Sequence, residues 1–173
     1  ANRTVSDQYE NFFKEIFFKI KNRYFRPYLN LKMPISGMKL REKLLKAFVQ
    51  NTHLTTKIIV RKSKEGNFIP KHRYKFEYWN NMLSSPFTLC IRGNGNFSVR
   101  FYETLALGRI PILYNTDCVL PLEKQISWSN HCIVLKDKDP KKFAKSVELM
   151  INAMNYKEII EMQIANRKLW IDM

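Results

Sequence analysis

Apolar side chains recur at three- and four-residue spacing in several stretches of this chain, and such spacing predicts amphipathic helices. In the first stretch, residues 6–25, the apolar face is mostly aromatic and lysines lie between the aromatic positions. This helix would dock on the rest of the domain by its aromatic face or lie on anionic lipid, and we favour docking. The same periodicity predicts helices over Lys39–Val49, Tyr74–Leu83, Lys141–Met154 and Tyr156–Trp170.

Short apolar or β-branched runs alternate with the later helices, and these runs predict strands. The candidate strands are Thr55–Val60, Phe87–Ile91, Ile110–Tyr114 and Cys132–Leu135. The continuous apolar run of Phe87–Ile91 is typical of a strand buried on both faces. Strands that alternate with helices predict a parallel sheet in a layered α/β domain.

A glycine-containing loop follows the Phe87–Ile91 strand and leads into a further predicted helix, from Ser98 to Leu107. Gly93 and Gly95 allow the backbone to approach a ligand closely. Ser98 is placed to cap a helix whose free amide groups attract phosphate. The loop lacks the Lys-Ser/Thr of a P-loop and the third glycine of a dinucleotide loop, so its sequence alone is weak evidence for an anion site. The stronger evidence is its position between a strand and a helix.

Charged residues flank this loop in an order that suits a nucleotide. Arg92 and Arg100 add positive charge, and Glu103 follows Arg100 by one helical turn on the same face. A carboxylate accepts hydrogen bonds from hydroxyl groups, whereas guanidinium groups bind phosphate. Phosphate and a sugar diol are therefore the expected ligands.

The overall composition favours anionic partners, but it does not indicate which class of anion binds. The chain has 30 Lys and Arg against 15 Asp and Glu, for a formal charge of +15 over 173 residues. The basic residues are spread along the sequence, so we expect a solvated basic surface and no specific nucleic-acid site. The odd set of Cys90, Cys118 and Cys132 lacks metal-binding spacing, which favours a reducing compartment.

The segment around the glycine loop, from about Tyr78 to Leu135, resembles the signature of the exostosin-type glycosyltransferases, glycosyltransferase family 47. That pattern has a Ser-x-Phe-x-Leu-Cys-x-Arg-Gly run followed by Ser-x-Arg-x-x-Glu-x-Leu-x-x-Gly-x-Ile-Pro. Leu120, Pro121 and Trp128 resemble later family positions. The matching residues of the main pattern are Ser85, Phe87, Leu89, Cys90, Arg92, Gly93, Ser98, Arg100, Glu103, Leu105, Gly108, Ile110 and Pro111.

The resemblance implies a Rossmann-like parallel sheet with helices on both faces, similar to the carboxyl-terminal, donor-binding domain of a GT-B enzyme. Residues 1–37 would form the amphipathic helix and a linker, and residues 38–173 the nucleotide-sugar-binding domain. A nucleoside diphosphate sugar would be the donor and a glycan the acceptor. The donor-binding residues would be Arg92, Gly93, Gly95, Ser98, Arg100 and Glu103.

The resemblance also implies a site without a metal or other cofactor, so the arginines and the helix terminus would have to stabilise the departing diphosphate. The Asp137-Lys138-Asp139 triplet resembles the metal-binding D-x-D of another glycosyltransferase architecture. Asp139 precedes Pro140 and a helical pattern, so we interpret it as a helix cap. No general base is evident, and His72, His131 and Glu123 are only fallback candidates.

Two functions are compatible with these features. The first is the donor domain of an exostosin-like glycosyltransferase, as a fragment of a two-domain enzyme. The isolated chain would be inactive, or it would be active with a reduced acceptor half. The second is a non-catalytic basic module that binds nucleic acid or a polyanionic glycan. The expected location is the cytoplasm, with peripheral membrane contact through residues 6–25, or the Golgi lumen for a fragment of a longer eukaryotic chain.

Overall fold

The order of helices and strands follows the predicted alternation. The computed structural model describes residues 37–60, 71–93, 97–135 and 137–173, all within one unit, Ser36–Met173. Over these residues the elements are α1 (Gly37–Gln50), α2 (Lys71–Leu83), β1 (Phe87–Cys90), α3 (Val99–Ala106), β2 (Ile110–Tyr114), a short 3-10 helix (Trp128–Asn130), β3 (Ile133–Leu135), α4 (Pro140–Ala153) and α5 (Tyr156–Asp172).

The three strands of the described residues form a parallel sheet in the order β1-β2-β3. Phe87 pairs with Ile110 at one end of the β1 ladder, and Tyr114 pairs with Leu135 at the end of the β3 ladder. All five residues of β2 are buried, as expected for a central strand with helices on both faces. The parallel α/β architecture is therefore confirmed.

Two apolar clusters occupy the two faces of the sheet. On one face α1 and α4 pack together, with Phe48, Phe143 and Tyr114 in the cluster. Phe143 makes edge contacts with both other rings, at centroid distances of 6.1 Å and 4.8 Å. On the other face α3 packs between the sheet and α5, around Phe101 and Trp128. The result is the Rossmann-like α/β/α layering that the resemblance implied.

Helix ends agree with their sequence signals. The Asp139 carboxylate accepts hydrogen bonds from the backbone amides of Lys141 and Lys142, and Pro140 occupies the first turn of α4. Asp139 is therefore a helix cap, as predicted. Gly108 follows α3 with a φ of +60°, a conformation that favours glycine.

The buried side chain of Asn166 fixes α5 to the amino-terminal edge of the sheet. Its amide nitrogen donates to the carbonyls of Arg109 and His131, both at 2.9 Å. Arg109 immediately precedes β2, and His131 lies two residues before β3. Its oxygen lies 2.9 Å from Nδ1 of His131. Arg167, the next residue, donates to the carbonyl of Ala106 at the end of α3.

The strand predicted over Thr55–Val60 is wrong. Within the described residues this segment joins no sheet, and Ile58 is the member that packs against the core, whereas Ile59 and Val60 are exposed. The backbone carbonyl of Lys57 accepts a hydrogen bond from the side chain of Asn81 on α2 and not from a neighbouring strand. The β-branched composition of this segment was therefore not sufficient to predict that it pairs in a sheet.

The burial predicted for β1 also needs correction. Its first three residues are only partly buried, and the strand ends at Cys90. In the described part of the sheet β1 pairs with β2 and lies at an edge, which leaves it less covered than the central strand. The predictions for residues 6–25 and for Gly95 lie outside the described residues, and the division near residue 37 stays a prediction.

Candidate functional site

The loop after β1 lies at the carboxyl-terminal edge of the sheet, where parallel α/β folds bind ligands. The strand ends at Cys90, and the amide of Gly93 donates to the carbonyl of Phe97 at 3.2 Å, which brings the two described ends of the loop together. Ser98 follows and α3 begins at Val99. The predicted strand, loop and helix unit is thus present.

Ser98 occupies the N-cap position of α3 but does not act as a capping side chain. Its backbone is extended, with a φ of −122° and a ψ of 114°, and its hydroxyl makes no cap hydrogen bond. The residue is buried. Because no side-chain oxygen of the cap satisfies the first amides of α3, these amides remain suited to an anionic acceptor.

Arg92 and Arg100 differ in their surroundings. Arg92 is 9% exposed. Burial raises the pKa of the Cys118 thiol, and the charge of Arg92 acts on it in the opposite direction. Arg92 therefore acts at the Cys118 segment, which follows β2 at the same edge of the sheet. Arg100 is partly exposed and extends from the first turn of α3. Arg92 thus contributes its positive charge from a buried position, and Arg100 from a partly exposed one.

Tyr78 of α2 joins Arg100 to Glu103. Its hydroxyl donates a hydrogen bond to Oε2 of Glu103 and accepts one from Nε of Arg100 at 3.4 Å. The guanidinium carbon of Arg100 lies 5.2 Å from the centroid of the Tyr78 ring, a cation–π distance. Burial, followed by the hydrogen bond to Glu103, raises the pKa of Tyr78, so the phenol stays protonated and continues to donate.

Buried contacts hold α3 in position behind this group. Thr104 is fully buried, and its hydroxyl donates to the carbonyl of Arg100 at 2.6 Å. The same hydroxyl lies 3.8 Å from the thiol of Cys90 at the end of β1. The helical turn that bears Arg100 and Glu103 is therefore fixed to the strand beside it.

Arg41 of α1 is a further cation of the site. Burial, and then the charge of Arg100, lower the pKa of Arg41, while the charge of Tyr78 acts in the opposite direction. Among the described residues neither Arg41 nor Arg100 forms an ion pair with a carboxylate. Two guanidinium groups that repel each other favour an anion between them.

The amino-terminal end of α1 lies against the glycine loop. A Cβ atom added to Gly37 would lie 2.6 Å from the carbonyl oxygen of Gly93 and 2.9 Å from that of Arg92. Such distances leave no room for a side chain, so glycine permits this close approach. Arg41 follows one turn later on α1, which places it on the loop side of the domain.

The structure brings the predicted residues Arg92, Gly93, Ser98, Arg100 and Glu103 to one end of the sheet. The sequence did not reveal Tyr78 or Arg41 as their neighbours. Both residues come from other helices, and no local spacing connects them with the loop. Trp128, one of the positions that resembled the family pattern, donates to the carbonyl of Pro121 at 2.9 Å and packs on Phe101. Its role is to hold the core beside the site.

Among the described residues, cysteine and histidine side chains form no metal-binding group at this edge of the sheet. All three cysteines are free, and burial raises the pKa values of Cys90 and Cys132 to about 12, which keeps both as thiols. The described residues contain no group of three His, Cys, Asp or Glu side chains placed to hold a metal ion. None of their helices combines the length and apolarity needed to cross a membrane.

Comparison with known proteins agrees with the resemblance in the motif. Residues 16–151 match the Exostosin GT47 domain. A segment of 96 residues is 27% identical to an Exostosin-1 homolog of Caenorhabditis elegans, and it covers 56% of this chain and 24% of that relative. The chain therefore matches only about a quarter of the relative's length. Because the domain match covers more than half of the sequence, this protein belongs to the exostosin GT47 family of glycosyltransferases.

Proposed function

We propose that this domain binds a nucleoside diphosphate sugar at the carboxyl-terminal edge of its sheet and holds it as the donor for transfer to a glycan acceptor. The observation that carries the proposal is the pair of cations without carboxylate partners, Arg41 and Arg100, beside the carboxylate of Glu103. Family membership supports a nucleotide sugar and a glycan as the two substrates.

Each group has a role that follows from its chemistry. Arg41 and Arg100 would bind the diphosphate oxygens, together with the first amides of α3. Glu103 would accept hydrogen bonds from the ribose hydroxyls through Oε1, since Tyr78 already occupies Oε2. Gly93 has open space around its Cα, so the backbone there permits close contact with a ligand.

The same arrangement would assist bond cleavage. When the bond between sugar and diphosphate breaks, negative charge develops on the diphosphate leaving group. Arg41, Arg100 and the positive end of the α3 dipole would stabilise that charge, so the proposal includes no metal ion. Arg92 would add long-range positive charge from its buried position.

Among the described residues at this edge, we identify no general base that would activate an acceptor hydroxyl. His131 bonds Asn166 beside the start of β3, at the opposite edge of the sheet, and it is therefore rejected as the base. We propose that the base belongs to the acceptor side of the complete enzyme, and that this domain supplies donor binding.

Isothermal calorimetry with uridine diphosphate and guanosine diphosphate tests this function on the whole chain. We expect one nucleotide to bind with a Kd of about 1 mM or tighter, within the usual range for enzyme substrates. Glu103→Ala should weaken binding about tenfold, the effect of one lost hydrogen bond to a charged group. Glu161→Ala, which removes an exposed carboxylate on α5, is the matched control and should change nothing.

Two results would count against the proposal. One is the absence of binding by either nucleotide. The other is binding of long polyanions with a steep salt dependence and no effect of Glu103→Ala, which would favour the basic binding module instead. A donor pocket should prefer one nucleotide and require the carboxylate.

A further inference from the structure

At the contact between α2 and α3, a tyrosine of α2 lies between two opposite charges of α3, and donor binding alone does not explain this arrangement. Arg100 and Glu103 are three residues apart on α3, a spacing at which opposite charges commonly pair. Lys145 and Glu148 on α4 have the same spacing and do pair, with 2.6 Å between nitrogen and oxygen. Arg100 and Glu103 form no such ion pair, although both side chains are described and both face Tyr78.

The Tyr78 hydroxyl lies between the two charges. It accepts from Nε of Arg100 and donates to Oε2 of Glu103, so each charged group has a neutral partner. The ring of Tyr78 supports the guanidinium group by cation–π contact. The two terminal nitrogens of Arg100 and the Oε1 oxygen of Glu103 are left without a hydrogen-bond partner among the described residues.

We propose that Tyr78 is a positioning residue that keeps Arg100 and Glu103 apart, so that the arginine stays available to phosphate and the carboxylate to a sugar hydroxyl. Without the phenol oxygen, the two side chains would close on each other and neutralise both halves of the site. The role of Glu103 toward ribose rests on the proposed function, whereas the separation of the charges does not.

Tyr78→Phe removes the hydroxyl and retains the ring beneath Arg100. We expect inorganic pyrophosphate to bind about tenfold more weakly to this variant, because Arg100 turns to Glu103. The midpoint of thermal unfolding should stay the same or rise, since a direct ion pair replaces two hydrogen bonds. A residue with only a structural role would instead lower this midpoint when truncated.

The decisive experiment is rescue by a second substitution. In the double variant Tyr78→Phe with Glu103→Gln the amide cannot form the ion pair, so Arg100 is released and pyrophosphate binding should return close to the wild-type value. Glu103→Gln alone should bind pyrophosphate more tightly than wild type, because it removes a negative charge beside Arg100. Tyr156→Phe, which removes an exposed tyrosine hydroxyl on α5, is the matched control and should leave binding unchanged.

The outcomes separate this proposal from the donor function. Loss of pyrophosphate binding in Tyr78→Phe with no rescue in the double variant would overturn the positioning role, as would unchanged binding in Tyr78→Phe. Rescue of pyrophosphate binding combined with no affinity for uridine or guanosine diphosphate would uphold Tyr78 and refute the nucleotide proposal. With a nucleotide that binds, Tyr78→Phe should also reduce the preference for the ribonucleotide over its 2′,3′-dideoxy analogue.

Discussion

Gly37→Ala tests whether the close contact between α1 and the glycine loop sets the geometry of the site. In an unconstrained helix this substitution stabilises a protein by about 0.5–1 kcal/mol, because alanine has the higher helix propensity. Here the new Cβ would lie 2.6 Å from the carbonyl oxygen of Gly93 and 2.9 Å from that of Arg92. Both obstacles are backbone atoms, which have no rotamer to change.

The size of the effect follows from these distances. A carbon and a carbonyl oxygen in favourable contact are about 3.3–3.6 Å apart, so α1 and the loop must separate by about 0.7 Å. Overpacking of this kind costs about 1–3 kcal/mol, which exceeds the gain in helix propensity. We therefore expect a net loss of about 1 kcal/mol in the free energy of unfolding.

Urea unfolding followed by circular dichroism measures that loss, and calorimetry measures the accompanying loss of nucleotide affinity as Arg41 moves away from Arg100. Gly93→Ala is the control for stability, because its Cβ would meet no atom within 4 Å. A rise of stability in Gly37→Ala with unchanged nucleotide affinity would refute the reasoning, since α1 would then tolerate the side chain without moving.

Three further predictions concern the rest of the fold. Asn166→Ala should lower the free energy of unfolding by about 2–3 kcal/mol in urea titrations, because the carbonyls of Arg109 and His131 lose their donor. A loss below about 0.5 kcal/mol would show that water replaces the amide. Asp139→Ala should lower the free energy of unfolding by about 1 kcal/mol, because α4 loses its capping side chain. Asp139→Asn should retain most of this stability, because asparagine also caps helices. The hydrogen bond from Lys145, and then that from Asn51, lower the pKa of Glu148, so its contribution to stability is complete above the pKa of the unfolded chain and disappears as the pH falls through the lower folded value. Glu148→Gln should therefore show a shallower loss of stability than wild type on acidification below about pH 4.5, and parallel curves would contradict this assignment.

Local sequence signals predicted most of the fold. Asp139 with Pro140 located the start of α4, and Gly108 located the end of α3, because capping depends on a few neighbouring residues. The segment Thr55–Val60 shows where such signals fail. Its β-branched residues favour an extended backbone, but whether that backbone joins a sheet depends on partners far away in the sequence.

In the candidate site, too, local spacing predicted some features and tertiary packing determined others. The spacing of Arg100 and Glu103 on one helix was enough to predict that they share a face. Opposite charges at that spacing commonly pair, but the structure shows a tyrosine between these two charges instead. Tyr78 and Arg41 lie on two other helices, so their interactions with Arg100 follow from tertiary packing and not from any pattern within the motif.

The position of Asn166 has a consequence for how this domain can diversify. The hydrogen bonds that hold α5 to the starts of β2 and β3 lie at one edge of the sheet, and the candidate ligand groups lie at the other. Exposed residues around the glycine loop can therefore be exchanged without loosening the attachment of the last helix. Such a division lets evolution change ligand preference in small steps while the scaffold keeps its stability margin.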